Sequence, residues 1–172
     1  TRFRIASITK TFTAVAILQL RDAGKLCLDD TASQYLDWYK FRYEDAPDIT
    51  IRNLLSHTAG LPRDAHKPLW TGFEAPTWDE FINVVEQRQP TQPPNNKFAY
   101  SNFGYSLLGA IITQVSGQSW ADYLQQHILD PLGMTETYPI PSSDDPKLAR
   151  GYSRSNPNYD REILPFFLMN GF

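Results

Sequence analysis

The hydrophobic positions of this chain recur mainly at the three- and four-residue spacing of an amphipathic α-helix. The spacing is strongest over residues 7–23, which we predict to be the first helix, ended by a glycine. Apolar side chains occupy more than one face of this segment, so we expect the helix to be buried. Similar patterns predict helices over 103–116, ended by Gly117, and over 120–129, capped by Ser119.

Turn and capping residues predict shorter elements between these helices. They predict three short helices: one that begins at Thr31 and runs toward Leu36, one over 51–57 and one over 78–88. Residues 135–165 are rich in Pro, Ser, Asn and Asp and are predicted to be mainly loop. Convincing strands are scarce, so the chain as it stands is predicted to be mainly α with long loops.

Composition narrows the classes of function that remain. The 172 residues are 41% hydrophobic and 13% aromatic, which is enough to build a folded core. The formal net charge of −3 argues against a wide basic surface, so we expect no nucleic-acid partner. No apolar run approaches the ~20 residues that span a bilayer, so no transmembrane segment is expected. The single cysteine, Cys27, excludes an internal disulfide and is predicted to be a small buried hydrophobe.

A serine and a lysine stand three positions apart at the start of the first predicted helix. Ser7 and Lys10 therefore share one face of that helix, and the serine lies near the positive end of the helix dipole. A lysine buried by apolar neighbours can lose its proton and activate the serine as a nucleophile. The pattern is common by chance, and a helix cap beside a solvated lysine is the simpler interpretation of this motif alone.

A second polar motif directly precedes the helix predicted over 103–116. Tyr100 carries a phenol that can shuttle protons when its pKa is perturbed, and the amide of Asn102 can orient a substrate carbonyl or a lysine. Taken alone, this segment is more simply interpreted as the polar cap of the helix.

The two motifs occur together with several others, and their order and spacing are specific. In that order they resemble the serine β-lactamase-like family, which includes class C β-lactamases, low-molecular-mass penicillin-binding DD-peptidases, D-aminopeptidases and β-lactamase-like carboxylesterases. The resemblance covers nearly the whole chain and fades after Tyr152. The segments that carry it are Phe3-Arg4-Ile5-Ala6-Ser7-Ile8-Thr9-Lys10, Gly24-Lys25-Leu26, Ser56-His57-Thr58-Ala59-Gly60-Leu61-Pro62, Phe98-Ala99-Tyr100-Ser101-Asn102 and Pro131-Leu132-Gly133-Met134.

The resemblance implies a role for each matching residue. It implies that Ser7 is the acyl-accepting nucleophile, that Lys10 activates it, that Tyr100 relays protons and that Asn102 positions the substrate. The implied function is a serine hydrolase that acts through an acyl-enzyme on an ester, an amide or a β-lactam. The implied partner is a small-molecule or peptide acyl substrate.

The chain also departs from the family's pattern. Family members carry a Lys-Thr-Gly or His-x-Gly motif on an edge strand, and neither motif occurs here. Asn95 replaces a glycine before the tyrosine motif, which is a turn substitution that asparagine tolerates. The N-terminal strands of the family are also missing from the sequence. The resemblance therefore implies a partial domain over 1–172 of an α/β, transpeptidase-like fold, with a nucleophile helix (7–23), a helical subdomain (25–134) and a loop-rich part (135–172).

The departures leave a second hypothesis open. The chain is then a catalytically silent helical fragment or a binding subunit that needs a sheet-bearing portion, supplied elsewhere in the protein or by a second polypeptide. This hypothesis predicts an exposed apolar face where the sheet would pack.

Other features receive structural interpretations. Ser119 half-matches a nucleophile elbow, but it follows an apolar helix and is interpreted as a helix cap. His57 is interpreted as structural, either a helix-end cation or a partner in a turn hydrogen bond. The histidines lack metal-ligand spacing and no glycine-rich phosphate loop occurs, so neither a metal nor a cofactor is expected. Aromatic residues within 63–78 and 135–165 are candidates to line an acyl pocket.

Overall fold

Helices dominate the part of the chain that the structure describes. The computed structural model describes residues 1–40, 43–64, 89–140 and 145–149, and the backbone of 152–153 and 162–163. Its α-helices in these ranges are α1 (Thr9–Asp22), α2 (Ile51–Leu55), α3 (Asn102–Ser116) and α4 (Trp120–Leu124). Short 3₁₀ turns span Ala6–Ile8 and Ala32–Gln34, a π-helical turn over Gln125–Leu129 continues α4, and β1 (Tyr152–Ser153) pairs antiparallel with β2 (Glu162–Ile163).

These elements confirm the mainly helical prediction and adjust its boundaries. The predicted loop over 135–165 contains the two-residue strands β1 and β2. The segment predicted to run toward Leu36 as a helix forms only a 3₁₀ turn. The helix predicted over 78–88 and most of the aromatic loop over 63–78 lie outside the described residues. None of the described helices combines the length and apolar character that crossing a bilayer requires.

The helix ends follow the capping residues of the sequence. The Thr50 hydroxyl accepts the backbone N–H of Asn53, and the Asn53 side chain accepts the backbone N–H of Thr50, which completes a capping box at the start of α2. The Ser119 hydroxyl caps α4 by accepting the backbone N–H of Asp122, which confirms its interpretation as a cap. Gly117 ends α3 in the left-handed conformation, with φ at 71°.

The core is built around α3, which is buried from Phe103 to Ile112. Helix α1 packs on α3, and α4 contacts both of them. Helix α2 packs on the N-terminal part of α3, where the Tyr105 hydroxyl donates to the carbonyl oxygen of Leu55. The indole N–H of the buried Trp120 donates to the hydroxyl of Thr13 at 3.1 Å, which joins α4 to α1 inside the core. The start of α1 lies beside the start of α3, where Lys10 and Asn102 are hydrogen-bonded.

Two predictions about burial are wrong. Helix α1 buries a single stripe (Thr13, Ala16, Ile17 and Leu20), whereas Val15 remains 38% exposed and Ile8, just before the helix, 62% exposed. The reason is that α3 and α4 cover one side of α1. Cys27 is exposed rather than buried, because its backbone N–H donates to the Asp30 carboxylate at 2.6 Å in a tight surface turn.

Candidate active site

Ser7 lies in the 3₁₀ turn that leads into α1, and its side chain is exposed. Ala6, the residue before it, has a φ of 46°, in the left-handed region that costs an alanine roughly 1–2 kcal/mol. Strained backbone of this kind concentrates at functional sites, where the surrounding structure holds it in place. The turn therefore leaves the serine hydroxyl exposed directly before α1.

The phenol of Tyr100 contacts the Ser7 hydroxyl directly. The Tyr100 hydroxyl donates to Ser7 Oγ at 2.9 Å, although the two residues lie 93 positions apart in the sequence. Partial burial acts to raise the pKa of the phenol, but the hydrogen bonds with Ser7 and Lys10, together with the charges of Lys10 and Arg63, outweigh it. The pKa of Tyr100 is consequently lowered from its usual value of 10.0. A phenolate is therefore more accessible here than in water.

Lys10 and Asn102 complete the same cluster. The Lys10 ammonium donates to Asn102 Oδ1 at 2.8 Å. Its Nζ lies 5.2 Å from the centroid of the Tyr100 ring and 5.6 Å from that of the Tyr105 ring, both within cation–π range. The structure thus brings all four predicted site residues together, two from the start of α1 and two from the start of α3.

The imidazole of His57 packs against the ring of Tyr100 and accepts a hydrogen bond from the next residue. Its Nδ1 accepts the backbone N–H of Ser101 at 3.1 Å, and its ring centroid lies 4.5 Å from that of Tyr100 and 5.0 Å from that of Tyr105. Burial, and then the positive charge of Lys10, lower the pKa of His57 below 6.5. Of the two structural interpretations, the turn hydrogen bond fits and the helix-end cation does not.

The tyrosine segment is held by a clasp, which we define as residues 57–60 paired with 91–99. The backbone N–H of Ala99 donates to the carbonyl oxygen of His57 at 2.7 Å, that of Asn95 to Thr58 at 2.8 Å, and that of Thr91 to Gly60 at 2.9 Å. Asn95 adopts the left-handed conformation (φ 63°), as its place in the turn predicted. Its side-chain oxygen accepts from the buried Asn53 at 2.6 Å, which ties the clasp to α2.

Sequence reasoning missed three residues at this site, Arg63, Asp64 and Tyr105. The Asn102 side-chain amide donates to Asp64 Oδ1 at 2.7 Å. The Arg63 guanidinium carbon lies 5.3 Å from the Tyr100 ring centroid, and Tyr105 presents its ring to Lys10 while its hydroxyl donates to the carbonyl oxygen of Leu55. Their only sequence signal is position, because Arg63 and Asp64 directly follow the segment 56–62 and Tyr105 lies three residues after Asn102. Among the described residues, no group of three or more His, Cys, Asp or Glu side chains is arranged to hold a metal ion.

The lowered pKa of His57 predicts a specific dependence of stability on pH. The unfolded state takes up the proton more readily than the folded state, so the contribution of neutral His57 is fully present above pH 6.5 and is lost as the pH falls through the folded pKa. Denaturant unfolding between about pH 7.5 and about pH 5 should therefore show a steeper loss for the wild type than for His57→Asn. Asparagine tolerates the left-handed φ of 57° at this position. Identical pH slopes would show that His57 does not titrate in this way.

The contact between Ser7 and Tyr100, with Lys10 beside the tyrosine ring, and the helical layer that carries it define the class of protein. The chain belongs to the beta-lactamase family, whose model, described as Beta-lactamase, matches residues 1–168. It is 36% identical over 138 residues to Protein flp of Staphylococcus aureus (strain MW2), and 34% identical over 140 residues to Penicillin-binding protein 4 of Amycolatopsis lactamdurans. These alignments cover 80% and 81% of this chain, but only 28% and 36% of the two relatives.

Solved structures show the same relationship. The octameric penicillin-binding protein homologue from Pyrococcus abyssi matches with a TM-score of 0.78 and 33% identity, covering 93% of this chain and 38% of that one. A D-stereospecific amidohydrolase from Streptomyces sp. matches with a TM-score of 0.77 and 27% identity, covering 94% and 52%. The described helices therefore correspond to the helical part of the β-lactamase and penicillin-binding-protein fold.

Proposed function

We propose that this chain is the part of a serine hydrolase domain that carries the nucleophile, and that the enzyme acts through an acyl-enzyme. Ser7 is the nucleophile, Tyr100 and Lys10 manage its proton, and Asn102 positions Lys10 and the substrate. The observation that carries the proposal is the 2.9 Å contact between the Tyr100 hydroxyl and Ser7 Oγ, together with the lowered pKa of that phenol. A nucleophilic serine needs a proton acceptor within hydrogen-bond reach, and Tyr100 meets this requirement.

The first step in this mechanism is acylation. Tyr100 in its phenolate form accepts the proton of Ser7 as Oγ attacks the carbonyl carbon of the substrate. Lys10 stabilises the phenolate through its charge at the Tyr100 ring, and the backbone N–H of Ser7 is one donor to the developing oxyanion. The phenol then passes the proton to the leaving group, which restores the phenolate.

In deacylation water is the nucleophile. The Tyr100 phenolate accepts a proton from the attacking water, and the phenol passes it to Ser7 Oγ as the acyl–oxygen bond breaks.

The substrate class follows from acyl chemistry. The relatives and neighbours include a penicillin-binding protein, a D-stereospecific amidohydrolase and EstCE1, a hydrolase with promiscuous acyltransferase activity. Their common chemistry supports an ester, an amide or a β-lactam as the substrate. Within this range we favour an ester or a D-amino-acid peptide or amide over a β-lactam.

The second candidate is a silent helical fragment or binding subunit that needs a sheet-bearing portion. It is favoured by the large apolar side chains exposed near Ser7, since Phe3 is 72% and Ile8 62% exposed. In either case we propose that 1–172 is a partial domain, with a nucleophile helix at 7–23, a helical subdomain at 25–134 and a loop-rich part at 135–172.

Mass spectrometry of the intact protein, before and after a fluorophosphonate and then a penicillin, separates the two candidates. One adduct that maps to Ser7 supports the nucleophile, and a folded protein without an adduct supports the silent fragment. A penicillin adduct that persists indicates penicillin-binding behaviour, whereas one that clears indicates a β-lactamase.

Removing the hydroxyl of Tyr100 is expected to slow both acylation and deacylation. Tyr100→Phe keeps the ring beside His57 and Lys10 but deprives Ser7 of its proton acceptor, so both rates should fall by about 10²- to 10⁴-fold. Stopped-flow measurement of acylation and of product release checks this, with the exposed Tyr138→Phe as a matched control. If only substrate affinity changes, Tyr100 is a binding residue and the proton-relay role is wrong.

A further inference from the structure

Asp64 lies four residues after the 57–60 side of the clasp and faces the start of α3. Its side chain is only 16% exposed, and its Oδ1 accepts the Asn102 side-chain N–H at 2.7 Å. The chain is fixed at this point by the neighbouring carbonyl oxygen of Arg63, which accepts the backbone N–H of Asn102 at 2.7 Å and that of Phe103 at 3.2 Å. Asp64 is not the cap of α3, because the Ser101 hydroxyl takes that place by accepting the backbone N–H of Gly104.

The amide of Asn102 therefore lies between a cation and a carboxylate. Its Oδ1 accepts from Lys10 Nζ at 2.8 Å, and its Nδ2 donates to Asp64. An ammonium group can only donate and a carboxylate can only accept, so a single amide orientation satisfies both neighbours. A flip of the amide would set its N–H₂ against Lys10 and its oxygen against Asp64, and two charge-assisted hydrogen bonds would be lost.

We propose that Asp64 is a positioning residue, whose carboxylate holds the Asn102 amide in the one orientation that offers its oxygen to Lys10. This proposal rests on the proposed function, in which Lys10 acts beside Tyr100. Without the carboxylate, the amide is free to rotate and Lys10 loses a fixed acceptor. The ammonium group then leaves its place 5.2 Å from the Tyr100 ring centroid.

The neighbouring charge of Arg63 does not replace this role. Arg63 Nε lies 3.7 Å from Asp64 Oδ2, but the Arg63 side chain is 60% exposed, and exposed pairs of this kind are weak. The Asp64–Asn102 bond is shorter and less exposed than the contact with Arg63. Asp64 thus acts on Lys10 through Asn102, so removing Asp64 should have no further effect once the Asn102 amide is gone.

The test compares Asp64→Ala and Asp64→Asn in the intact protein, alone and combined with Asn102→Ala. The first readout is the rate of Ser7 labelling by a fluorophosphonate. Asp64→Ala is expected to slow labelling by about 10- to 100-fold, as the loss of one charge-assisted hydrogen bond predicts. Asp64→Asn should have a smaller effect, because a second amide permits both orientations of Asn102. The surface variant Asp22→Asn, at the far end of α1 from Lys10, is the charge-matched control.

A double-mutant cycle then decides the route of the effect. In the Asn102→Ala background, Asp64→Ala should cause no further slowing, because the amide that it orients is gone. An equal slowing in both backgrounds would overturn the proposal. Where the wild type is labelled, an unchanged labelling rate in Asp64→Ala would do the same.

The second readout does not depend on catalysis. In ¹⁵N-edited NMR spectra, the side-chain N–H₂ signals of Asn102 should be well separated and slow to exchange in the wild type, and should converge in Asp64→Ala. Signals that stay unchanged would contradict the proposal. A wild type that shows this signature but is never labelled would instead refute the proposed function and leave the role of Asp64 in orienting the amide intact.

Discussion

Replacing Ser7 by alanine is expected to abolish covalent labelling and to lower hydrolysis by about 10³-fold or more, because no other group takes the nucleophile's place. The free energy of unfolding should change by less than about 0.5 kcal/mol, since the Ser7 side chain is exposed and lies outside the core. Intact-mass labelling and denaturant titration of the same samples measure the two effects.

The matched control is the other serine in a nucleophile-like sequence. Ser119→Ala removes the cap of α4, so it should cost about 1 kcal/mol of stability while labelling persists. The two variants should therefore show opposite patterns, one losing reactivity and the other stability. Turnover retained by Ser7→Ala would refute the assignment of the nucleophile.

The largest effect on stability is expected from Gly60→Ala. Gly60 has a φ of 73°, and a Cβ built there would overlap the backbone carbonyl oxygen of Gln92 across the clasp. The left-handed backbone costs an alanine about 1–2 kcal/mol and overpacking adds about 1–3 kcal/mol, so the total loss should be about 2–5 kcal/mol. Because the clasp carries Tyr100, labelling of Ser7 should fall as well.

Gly117→Ala provides a control that separates the two costs. Gly117 has nearly the same φ, 71°, but nothing lies within 4 Å of a Cβ built on it. This variant should lose only the conformational part, about 1–2 kcal/mol, with labelling unchanged. Equal losses in the two variants, measured by urea denaturation, would show that the clasp yields readily to an added methyl group.

The features that were predictable from the sequence are those encoded locally. Capping residues and glycines placed the ends of α2, α3 and α4 within a few residues, because each forms hydrogen bonds or a backbone conformation inside a single turn. Helix α2 ends at Leu55 rather than at the predicted His57, since His57 turns into the left-handed conformation to reach Ser101. The site residues were found through motifs, whose spacing the family resemblance supplied.

What escaped prediction depends on contacts between distant segments. The carboxylate of Asp64 meets Asn102 across 38 positions, and no periodic pattern marks that pairing. The one-sided burial of α1 depends on where α3 and α4 lie, whereas its sequence is apolar on more than one face. The π-helical turn over Gln125–Leu129 likewise departs from the regular helix that its spacing predicted.

Under the proposed function, the separation of Ser7 and Tyr100 along the chain makes the labelling of the serine a measure of folding. Closing a loop of 93 residues costs entropy that the formation of local helices does not repay. A collapsed intermediate can therefore hold its helices while Ser7 still lacks a proton acceptor. Far-ultraviolet circular dichroism would show the full helix content of such a molecule, whereas a serine-directed probe would not label its Ser7. During refolding, labelling should consequently lag behind helix formation and report only molecules in which α1 has docked on α3.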